Sequence, residues 1–287
     1  MLPGYEILER IGRGAGAVIS LARDVHQGRL VAVKHVVRQT QDDERFLAQA
    51  ENEWQVTRQL DHPCLRKCYD IVRVRKWFRT QQLFLIMEYV EGERLEDHRP
   101  DDLRRVVEIF RLIAEGLHAL HMSGFAHADI KPNNILLTRD GLKIIDFGQS
   151  CPLGHTKQRV QGTPDYIAPE QVHRTAIDQR TDVFNLGASM YWVVTGKWFK
   201  TLMQVAPTAA KKVTIDSERG SEPPHELNPD VPVPLSKLIQ ECCATAKPQR
   251  PRDMRDVLSR LEVVDHMLSR GRRRARRQRA RESDRTG

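Results

Sequence analysis

The sequence is poor in cysteine, and its cysteines suggest no disulfide framework. There are five in 287 residues, without a Cys-x-x-Cys pair: Cys64, Cys68, Cys151, Cys242 and Cys243. Cys64 and Cys68 have a spacing that a metal could use, but no second pair of ligands accompanies them. We therefore expect buried or half-buried free thiols, as in a protein of the reducing cytoplasm.

The sequence also lacks a long apolar run. No stretch of about 18 apolar residues is present, so no transmembrane helix is predicted. The first residues, Met1–Tyr5, have neither a basic start nor an apolar stretch, and a secretory signal is not expected. Hydrophobic residues make up 40% and charged residues 29% of the chain, as in an ordinary globular protein. We expect a cytoplasmic location.

The excess of basic charge is confined to one end of the chain. The net charge is +8, but residues 269–287 hold nine arginines against Glu282 and Asp284, a net of +7. This Arg-rich tail has almost no apolar residues and is predicted to be disordered when unbound. A solvated end, a contact with anionic lipid and a contact with nucleic acid all stay open. The tail has no interleaved aromatic residues to stack on bases, which weakens the last.

Residues 5–89 are expected to form a small lobe of short strands with one helix. Apolar or alternating segments predict strands at Tyr5–Ile11, Val18–Arg23, Leu30–Arg38, Ile71–Val74 and Leu83–Tyr89. Thr40 with Asp43 predicts a helix cap, and the helix is expected to continue to about Leu60. His62 and Pro63 end it.

From about Leu103 the pattern becomes helical. Apolar residues follow a helical period up to Leu120, and Gly124 fits as the end of that helix. Further helices are predicted at about Asp182–Val194, Pro234–Thr245 and Asp253–Leu268. Residues 218–234 are rich in proline and polar side chains and are expected to form a loop.

A glycine-rich segment and a lysine on an apolar strand occur early in the chain. Ile11–Ala17 reads Ile-Gly-Arg-Gly-Ala-Gly-Ala, and glycines let backbone N–H groups approach a phosphate closely. Alone it is weak evidence, because glycine-rich hairpins are common. Val31–Lys34 reads Val-Ala-Val-Lys, and its lysine is either a surface residue with a buried stem or a ligand of phosphate oxygens.

Glu53 is the candidate partner of Lys34. It lies on the apolar stripe of the predicted helix, which also holds Phe46, Ala50, Thr57 and Leu60. A carboxylate on such a stripe is costly unless it is paired, so a Lys34–Glu53 pair explains both residues. Glu51, two residues away, points elsewhere.

Two acids and an amide form a second candidate group. His127–Asn134 reads His-Ala-Asp-Ile-Lys-Pro-Asn-Asn, and Lys143–Gly148 reads Lys-Ile-Ile-Asp-Phe-Gly. A predicted β-hairpin between these segments brings Asp129, Asn134 and Asp146 together. The oxygens of Asn134 and Asp146 are hard ligands that suit Mg²⁺. Taken singly, each acid is equally compatible with a solvated turn.

In this order the motifs resemble those of the protein kinase family over about Tyr5–Val264. Further family landmarks match at Gly162–Glu170, Asp182–Gly187 and Arg250-Pro251. The resemblance implies an α+β, two-lobed protein kinase fold, with a small antiparallel β-sheet lobe that carries one helix and a large, mainly helical lobe over about residues 93–264. It also implies a buried Glu170–Arg250 pair. The compact core resembles the eukaryotic-type kinases found in bacteria.

The resemblance further implies the roles of the catalytic residues. Asp129 would orient the substrate hydroxyl and accept its proton, and Lys131 would stabilise charge on the transferred phosphoryl group. Asn134 and Asp146 would hold Mg²⁺. Lys131 and the Gly162-Thr163-Pro164 segment are typical of serine/threonine kinases, so the expected function is transfer of the γ-phosphoryl group of ATP to Ser/Thr hydroxyls of proteins.

The same resemblance implies a nucleotide site. Lys34, positioned by Glu53, would hold the α- and β-phosphates, and glycine amides would cover them. Met87 resembles the gatekeeper that precedes the hinge. The implied site residues are Ile11, Gly12, Gly14, Ile19, Ala32, Lys34, Glu53, Met87, Glu88, Val90 and Leu136.

Several positions depart from the family pattern without removing a catalytic group. Ala128 replaces an arginine that usually pairs with a phosphate on the activation loop, so we expect activity without phosphorylation of Thr156 or another loop residue. Gly16 occupies the usual aromatic tip of the glycine-rich loop and Ala17 replaces its third glycine, which suggests a looser lid. Arg94 stands where an acid often meets the ribose or a basic substrate residue.

Two other functions are compatible with this fold. A pseudokinase scaffold or allosteric partner usually lacks the Lys, the catalytic Asp or the metal-binding Asp, and all three are present at Lys34, Asp129 and Asp146. A small-molecule phosphotransferase would not need Ala168-Pro169-Glu170 and Arg250, which resemble the platform for protein substrates.

Overall fold

The computed structural model describes the backbone of residues 2–14, 16–205, 213–215 and 221–286. The side chains at 204, 205, 213–215 and 271–286 lie outside the described part. So do Ala15 of the glycine-rich segment and residues 218–220 of the loop that the sequence predicts.

A five-stranded antiparallel sheet forms the small lobe. Its strands are β1 (Tyr5–Gly14), β2 (Ala17–Asp24), β3 (Leu30–Val37), β4 (Cys68–Lys76) and β5 (Arg79–Glu88). Their spatial order is β1-β2-β3-β5-β4. The alternating sequence predicted all five, and β4 and β5 extend further toward their shared turn than predicted.

Strand β3 is central, and both of its faces are buried. Val31 belongs to an apolar cluster on one face. Ala32 and Val36 belong to a second cluster, formed with helix α1 (Glu44–Thr57), on the other. Because side chains alternate along a strand, Lys34 shares the face that α1 covers. The strand therefore aims one charged group at the helix that carries Glu53.

Helix α1 begins later than its predicted cap. The Asp43 carboxylate accepts hydrogen bonds from the backbone N–H groups of Gln39 at 2.9 Å and Thr40 at 2.7 Å. It therefore closes the turn before the helix, as the second residue of a capping box does. The helix ends at Thr57, three residues before the predicted Leu60.

The large lobe is mainly helical, as predicted. Its helices are α2 (Leu103–Met122), α3 (Pro169–His173), α4 (Gln179–Thr195), α5 (Pro224–Leu227), α6 (Val233–Cys242) and α7 (Met254–Thr286). Its short strands are β6 (Glu93–Arg94), β7 (Phe125–Ala126), β8 (Ile135–Thr138), β9 (Gly141–Ile144), β10 (Cys151–Pro152), β11 (Met203–Val205) and β12 (Val213–Ile215). The predicted hairpin between the two candidate motifs is β8–β9. Helix α5 lies inside the segment that was predicted to be a loop.

Helix α4 is the buried centre of the large lobe. It is buried on nearly every side, so its sequence shows no polar face. The Asp178 side chain caps its start by accepting from the N–H of Arg180 at 2.9 Å, and Gly196, with φ of 72°, ends it. This rigid helix carries Asp182, on which the catalytic loop rests.

The last helix differs from the prediction. The structure continues α7 to Thr286, whereas the sequence predicts a disordered tail from residue 269. Arginine, alanine and glutamine are strong helix formers, so a helical backbone does not require an apolar face here. Disorder of the unbound tail in solution stays a prediction.

Two expectations from composition agree with the structure. All five cysteines are free, and burial raises the pKa of the Cys68 thiol to about 12. Within the ranges that the structure describes, no helix combines the length and the apolar character needed to cross a bilayer.

Candidate active site

Two cavities open between the lobes. One, of about 670 Å³, is lined by the glycine-rich segment, the first strands, the hinge and β8. The other, of about 480 Å³, is lined by Asp129, Lys131, Asp146 and Thr163 together with the start of α1. The larger cavity thus holds predicted nucleotide residues, and the smaller one holds predicted catalytic residues.

The larger cavity contains most of the predicted nucleotide site. Seven predicted residues line it, namely Ile11, Gly12, Ile19, Ala32, Glu88, Val90 and Leu136. The other four do not. Met87 is fully buried, Glu53 of α1 is fully buried, Lys34 is half-buried next to it, and Gly14 lies further along β1. Apolar side chains above and below, with the hinge backbone at the side, suit a flat aromatic ring.

Gly12 and Gly14 are not required by the packing of the chain itself. A Cβ atom added to Gly12 would come no closer than 3.8 Å to another residue, and one on Gly14 no closer than 3.9 Å. Neither residue has a positive φ. Glycine at these positions therefore fits a backbone that an external ligand approaches.

The tip of the glycine-rich segment contacts an aromatic ring from α1. Gly16 has φ of 65°, and a Cβ atom on it would overlap the ring of Phe46. The sequence suggested a looser lid because the usual aromatic tip is missing. In the structure, Phe46 supplies an aromatic contact from the opposite side, so the segment is held against the helix.

Lys34 lies between two carboxylates. Its Nζ is 2.7 Å from Oε2 of Glu53 and 3.5 Å from Oδ1 of Asp146. Burial alone would lower the pKa of Lys34, but the two carboxylates raise it above its ordinary value. In turn the Lys34 ammonium lowers the pKa of Asp146 to about 2, so this carboxylate is ionised at neutral pH. The predicted Lys34–Glu53 pair is present.

Glu53 also has a second cationic partner that the sequence did not reveal. Nη2 of Arg66 is 2.9 Å from Oε1 of Glu53, and both side chains are buried. The N–H of Arg66 donates to the backbone oxygen of Ile144 at 3.1 Å. Arg66 therefore joins α1 to the end of β9, two residues before Asp146.

Asn52 provides another link from α1. Its side-chain nitrogen donates to the backbone oxygen of Ser150 at 2.7 Å and to that of Gly148 at 3.2 Å. The segment that follows Asp146 is therefore attached directly to the helix that carries Glu53. Nothing in the sequence pattern distinguishes Asn52 from an exposed helical residue.

Asp129 is surrounded by donors. Its Oδ1 accepts from the N–H and the hydroxyl of Thr163 at 3.0 and 2.9 Å. Its Oδ2 accepts from Nζ of Lys131 at 2.9 Å, and Lys131 also donates to the Thr163 hydroxyl at 2.6 Å. The side-chain nitrogen of Asn134 donates to the Asp129 backbone oxygen at 2.9 Å. The predicted catalytic residues therefore form one hydrogen-bonded group.

The loop that carries Asp129 rests on a buried carboxylate. Asp182 accepts from the N–H groups of His127 at 2.8 Å and Ala128 at 2.7 Å, and from the ring of His121 at 2.7 Å. Burial alone would raise the pKa of Asp182, but these donors lower it. Ala128 has φ of 60°, so this anchor fixes a backbone conformation that a non-glycine residue rarely adopts.

Lys157 occupies a buried position in the activation segment. It is 8% exposed, and its Nζ donates to the backbone oxygen of Gln149 at 2.5 Å. Burial lowers the pKa of its amine, while Asp129 and Asp182 oppose that effect from nearby. A cation from the segment itself thus lies beside the catalytic loop, where the family arginine is missing at Ala128.

Further contacts hold the rest of the segment. The side-chain nitrogen of Gln171 donates to the backbone oxygens of Ala128 at 2.8 Å and Gln161 at 3.1 Å. Further on, Arg250 forms a bidentate pair with Glu170 at 2.8 and 3.0 Å, as the resemblance implied. These contacts join the activation segment to the catalytic loop and to the body of the large lobe.

The oxygen donors suit a magnesium ion that also binds phosphate. Asp146 offers an ionised carboxylate that is half exposed, and Asn134 offers an amide oxygen, because its nitrogen is already bonded. In the described part of the chain, no group of three or more His, Cys, Asp or Glu residues could hold a metal. Mg²⁺ does not need one, because it usually keeps water and takes one or two carboxylates with substrate phosphates.

Sequence reasoning missed four residues of the site region. They are Asn52, Arg66, Asp97 and Lys157. Asp97 lines the nucleotide cavity beside Arg94, so an acid is available there although Arg94 occupies the usual position. A buried charge that lies outside periodic segments gives no signal in a single sequence.

Comparison with known families agrees with this geometry. The family described as protein kinase domain matches residues 5–261, which is nine-tenths of the chain. The chain therefore belongs to the protein kinase family.

Relatives come from bacteria. A probable serine/threonine-protein kinase of Clostridium acetobutylicum is 29% identical over 269 residues, covering 91% of this chain and 40% of that protein. The serine/threonine-protein kinase PknB of Mycolicibacterium smegmatis is 32% identical over 204 residues, covering 67% of this chain and 32% of that protein. The chain thus spans 40% or less of the length of these relatives.

Proposed function

We propose that this chain transfers the γ-phosphoryl group of ATP to serine and threonine hydroxyls of protein substrates. The proposal depends mainly on one observation. Lys34 lies between Glu53 and Asp146, and Asp146 lines the same cavity as Asp129. Groups that can bind a nucleotide therefore lie next to a group that can accept a proton. The names of the relatives support the same activity and the same residue preference.

Each proposed role follows from a contact. Lys34 is charged and its ammonium group is held in position by Glu53, so it can bind phosphate oxygens there. Asp129 faces the smaller cavity, where a substrate hydroxyl could donate its proton to the carboxylate. Lys131, bonded to both Asp129 and Thr163, places a positive charge beside the phosphoryl group. Phosphoryl transfer depends mainly on such positioning and charge neutralisation.

Asn134 and Asp146 are the proposed ligands of Mg²⁺. Bound Mg²⁺ would neutralise charge on the phosphates of ATP. The hinge residues Glu88–Val90 would bond the adenine through their backbone, and Ala32 and Leu136 would cover its faces. These assignments rest on the donor types and on the cavity that the side chains enclose.

No observation favours the pseudokinase alternative. A scaffold without catalysis has no need of an ionised Asp146 held by Lys34, or of Asp129 bonded to both Lys131 and Thr163. The Glu170–Arg250 pair similarly favours a protein substrate over a small alcohol.

We also propose a cytoplasmic location, which the five free cysteines support. Contact of the Arg-rich tail with anionic lipid or nucleic acid remains a further proposal.

Transfer from labelled ATP tests the proposal. The purified chain is incubated with γ-labelled ATP, Mg²⁺ and a generic protein substrate, and phosphoamino acids are identified. We expect phosphoserine or phosphothreonine, and a loss of at least a hundredfold in the Asp129→Asn variant, which keeps the size of the side chain but removes the base. Equal labelling by the parent and the variant, or labelling of small alcohols alone, would contradict it.

A further inference from the structure

The turn between β4 and β5 exposes two large aromatic side chains. Trp77 is 87% exposed and Phe78 is 99% exposed. Val74, beside them on β4, is 43% exposed. Exposure of a single apolar residue is ordinary. Two adjacent aromatic rings at the tip of a hairpin are not, because their exposed apolar surface does not stabilise the fold.

The backbone at the turn makes the choice of tryptophan more unusual. Trp77 has φ of 56°, a conformation that glycine and asparagine adopt easily in hairpin turns and that bulky residues rarely adopt. Its exposed side chain has little packing within the chain to offset this. An unfavourable backbone position occupied by an exposed tryptophan points to a role outside the fold.

Basic residues surround the two rings. Arg75, Lys76 and Arg79 are exposed, and none of them forms an ion pair with an acid in the described part of the chain. Arg73, further from the tip, is instead paired with Glu51 at 2.6 Å. The tip therefore presents two apolar rings beside three exposed basic side chains.

We propose that this aromatic tip inserts into the interface of an anionic membrane. Tryptophan and phenylalanine rings lie favourably at the boundary between headgroups and acyl chains. Arg75, Lys76 and Arg79 would then lie at the level of the anionic headgroups, which attract basic side chains. The aromatic rings and the basic side chains of the tip would thus both contact the membrane.

The shape of the tip favours lipid over a macromolecular partner. A stable protein interface buries about 800 Å² on each side, far more than two side chains of a convex turn provide. Single-stranded nucleic acid is bound by aromatic platforms within a groove that follows the backbone, whereas Trp77 and Phe78 stand fully out at the tip of a hairpin. A bilayer, in contrast, surrounds a small protruding tip from all sides.

The tip is far from the catalytic groups. Strand β5 runs from Arg79 to Glu88, ten residues, so the turn lies about 30 Å from the hinge along that strand. Contact with a membrane would therefore leave the cleft accessible. Binding and phosphoryl transfer to a dissolved substrate should be separable, which makes the proposal independent of the proposed function.

Cosedimentation of the full chain with vesicles tests the proposal. Vesicles of phosphatidylcholine with and without phosphatidylserine are compared for the parent and for the double variant Trp77→Ser, Phe78→Ser. We expect the parent to prefer the anionic vesicles and the double variant to bind them about tenfold more weakly. The double variant should keep the melting temperature of the parent, which shows that it is folded.

Matched variants separate the tip from other features. Met122→Ser removes a side chain that is 72% exposed on the large lobe, and Lys237→Glu reverses an exposed charge there. Both should bind like the parent, whereas Lys76→Glu should bind several-fold more weakly. Equal binding by the parent and the double variant would assign any binding to the Arg-rich tail and overturn the proposal.

Brominated lipids provide a direct test of insertion. They quench tryptophans that enter the bilayer, and this chain has four. We expect quenching in the parent and its loss in Trp77→Phe, which keeps an aromatic ring and should still bind. Quenching that is unchanged in Trp77→Phe, or binding only to single-stranded oligonucleotides, would contradict insertion.

Discussion

The carboxylate of Glu53 is bound at both of its oxygens. Lys34 uses Oε2 and Arg66 uses Oε1. Because the N–H of Arg66 is bonded to Ile144, the position of α1 is coupled to the strand that leads into Asp146. This double attachment holds Glu53 in place beside Lys34. We therefore consider Arg66 a positioning residue.

Replacement of Arg66 tests this role. We expect Arg66→Met to lower kcat about tenfold, because loss of a charge-assisted hydrogen bond of roughly 1.5–3 kcal/mol loosens Glu53 and with it Lys34. Arg66→Lys should recover part of the rate, since it restores a positive charge. The measurement is steady-state kinetics with respect to ATP, alongside the thermal stability of each variant.

Arg73→Met is the matched control for that experiment. It breaks a second Arg–Glu pair of the same helix, between Arg73 and Glu51 at 2.6 Å, on the side away from the cleft. It should leave kcat unchanged. Equal kcat losses in Arg66→Met and Arg73→Met, or no loss in either, would show that Arg66 has no particular part in positioning.

Among single residues, the sequence predicted an ion pair where both charged side chains lie on apolar surfaces. Lys34 on an apolar strand and Glu53 on an apolar helical stripe each required a partner, so their contact could be inferred. Arg66 precedes β4 in a segment without periodicity, and the direction of its side chain depends on the tertiary fold. Lys157 is hidden for the same reason.

The activation segment is held by contacts within the chain. Lys157 donates to the backbone oxygen of Gln149, and Gln171 donates to that of Ala128. We expect Thr156→Ala and phosphatase-treated protein to keep initial rates within about twofold of the parent.

Lys157→Met should lower the rate about tenfold, since it removes the buried charged hydrogen bond to Gln149.

Thr156→Ala and Lys157→Met test the phosphate and the lysine separately. Lys197→Met is a control for Lys157→Met, because Lys197 is exposed and its Nζ lies 3.6 Å from the exposed Glu222. A tenfold loss in Thr156→Ala or after phosphatase treatment would mean that a phosphate is required. An unchanged rate in Lys157→Met would mean that the lysine is not.

Elements were predicted best where apolar residues alternate, form a short run or follow a helical period. Strands β1–β5 and helix α2 have such patterns, and their existence was correct even where their ends were not. The short strands β11 and β12 were missed, because three residues show no period. Beyond residue 270 the structure has a helical backbone, and the predicted disorder of the unbound tail stays a prediction.

Across the whole molecule, the Glu170–Arg250 pair connects the end of the activation segment to the body of the large lobe. Both side chains are almost fully buried. Burial alone would raise the pKa of Glu170, but Arg250 and Thr181 lower it below its ordinary value of 4.5. A carboxylate with a depressed pKa contributes stability at neutral pH that is lost as the pH falls.

The pH dependence of stability tests this pair. Glu170→Gln should unfold at a lower temperature than the parent at pH 7, by an amount that corresponds to about 3–5 kcal/mol, because Arg250 is left buried without its partner. The gap between them should narrow as the pH falls below 4.5, where the parent loses the contribution of the ionised Glu170. The measurement is a thermal melt at several pH values.

Glu262→Gln is the control for this measurement, since Glu262 is exposed on α7 and its closest cation is Arg111 at 3.9 Å. Its melting temperature should follow that of the parent at every pH. Parallel curves for Glu170→Gln and the parent would show that ionisation of Glu170 does not contribute to stability.

The most direct single measurement is the time course of phosphoryl transfer by protein that carries no phosphate. Phosphatase-treated chain, verified by its mass, is mixed with γ-labelled ATP, Mg²⁺ and a protein substrate beside an Asp146→Ala variant. We predict phosphoserine or phosphothreonine that accumulates linearly from the start and is absent with the variant. A lag that disappears after preincubation with ATP would contradict a site assembled without phosphate, and no transfer above the variant by folded protein would contradict an active kinase.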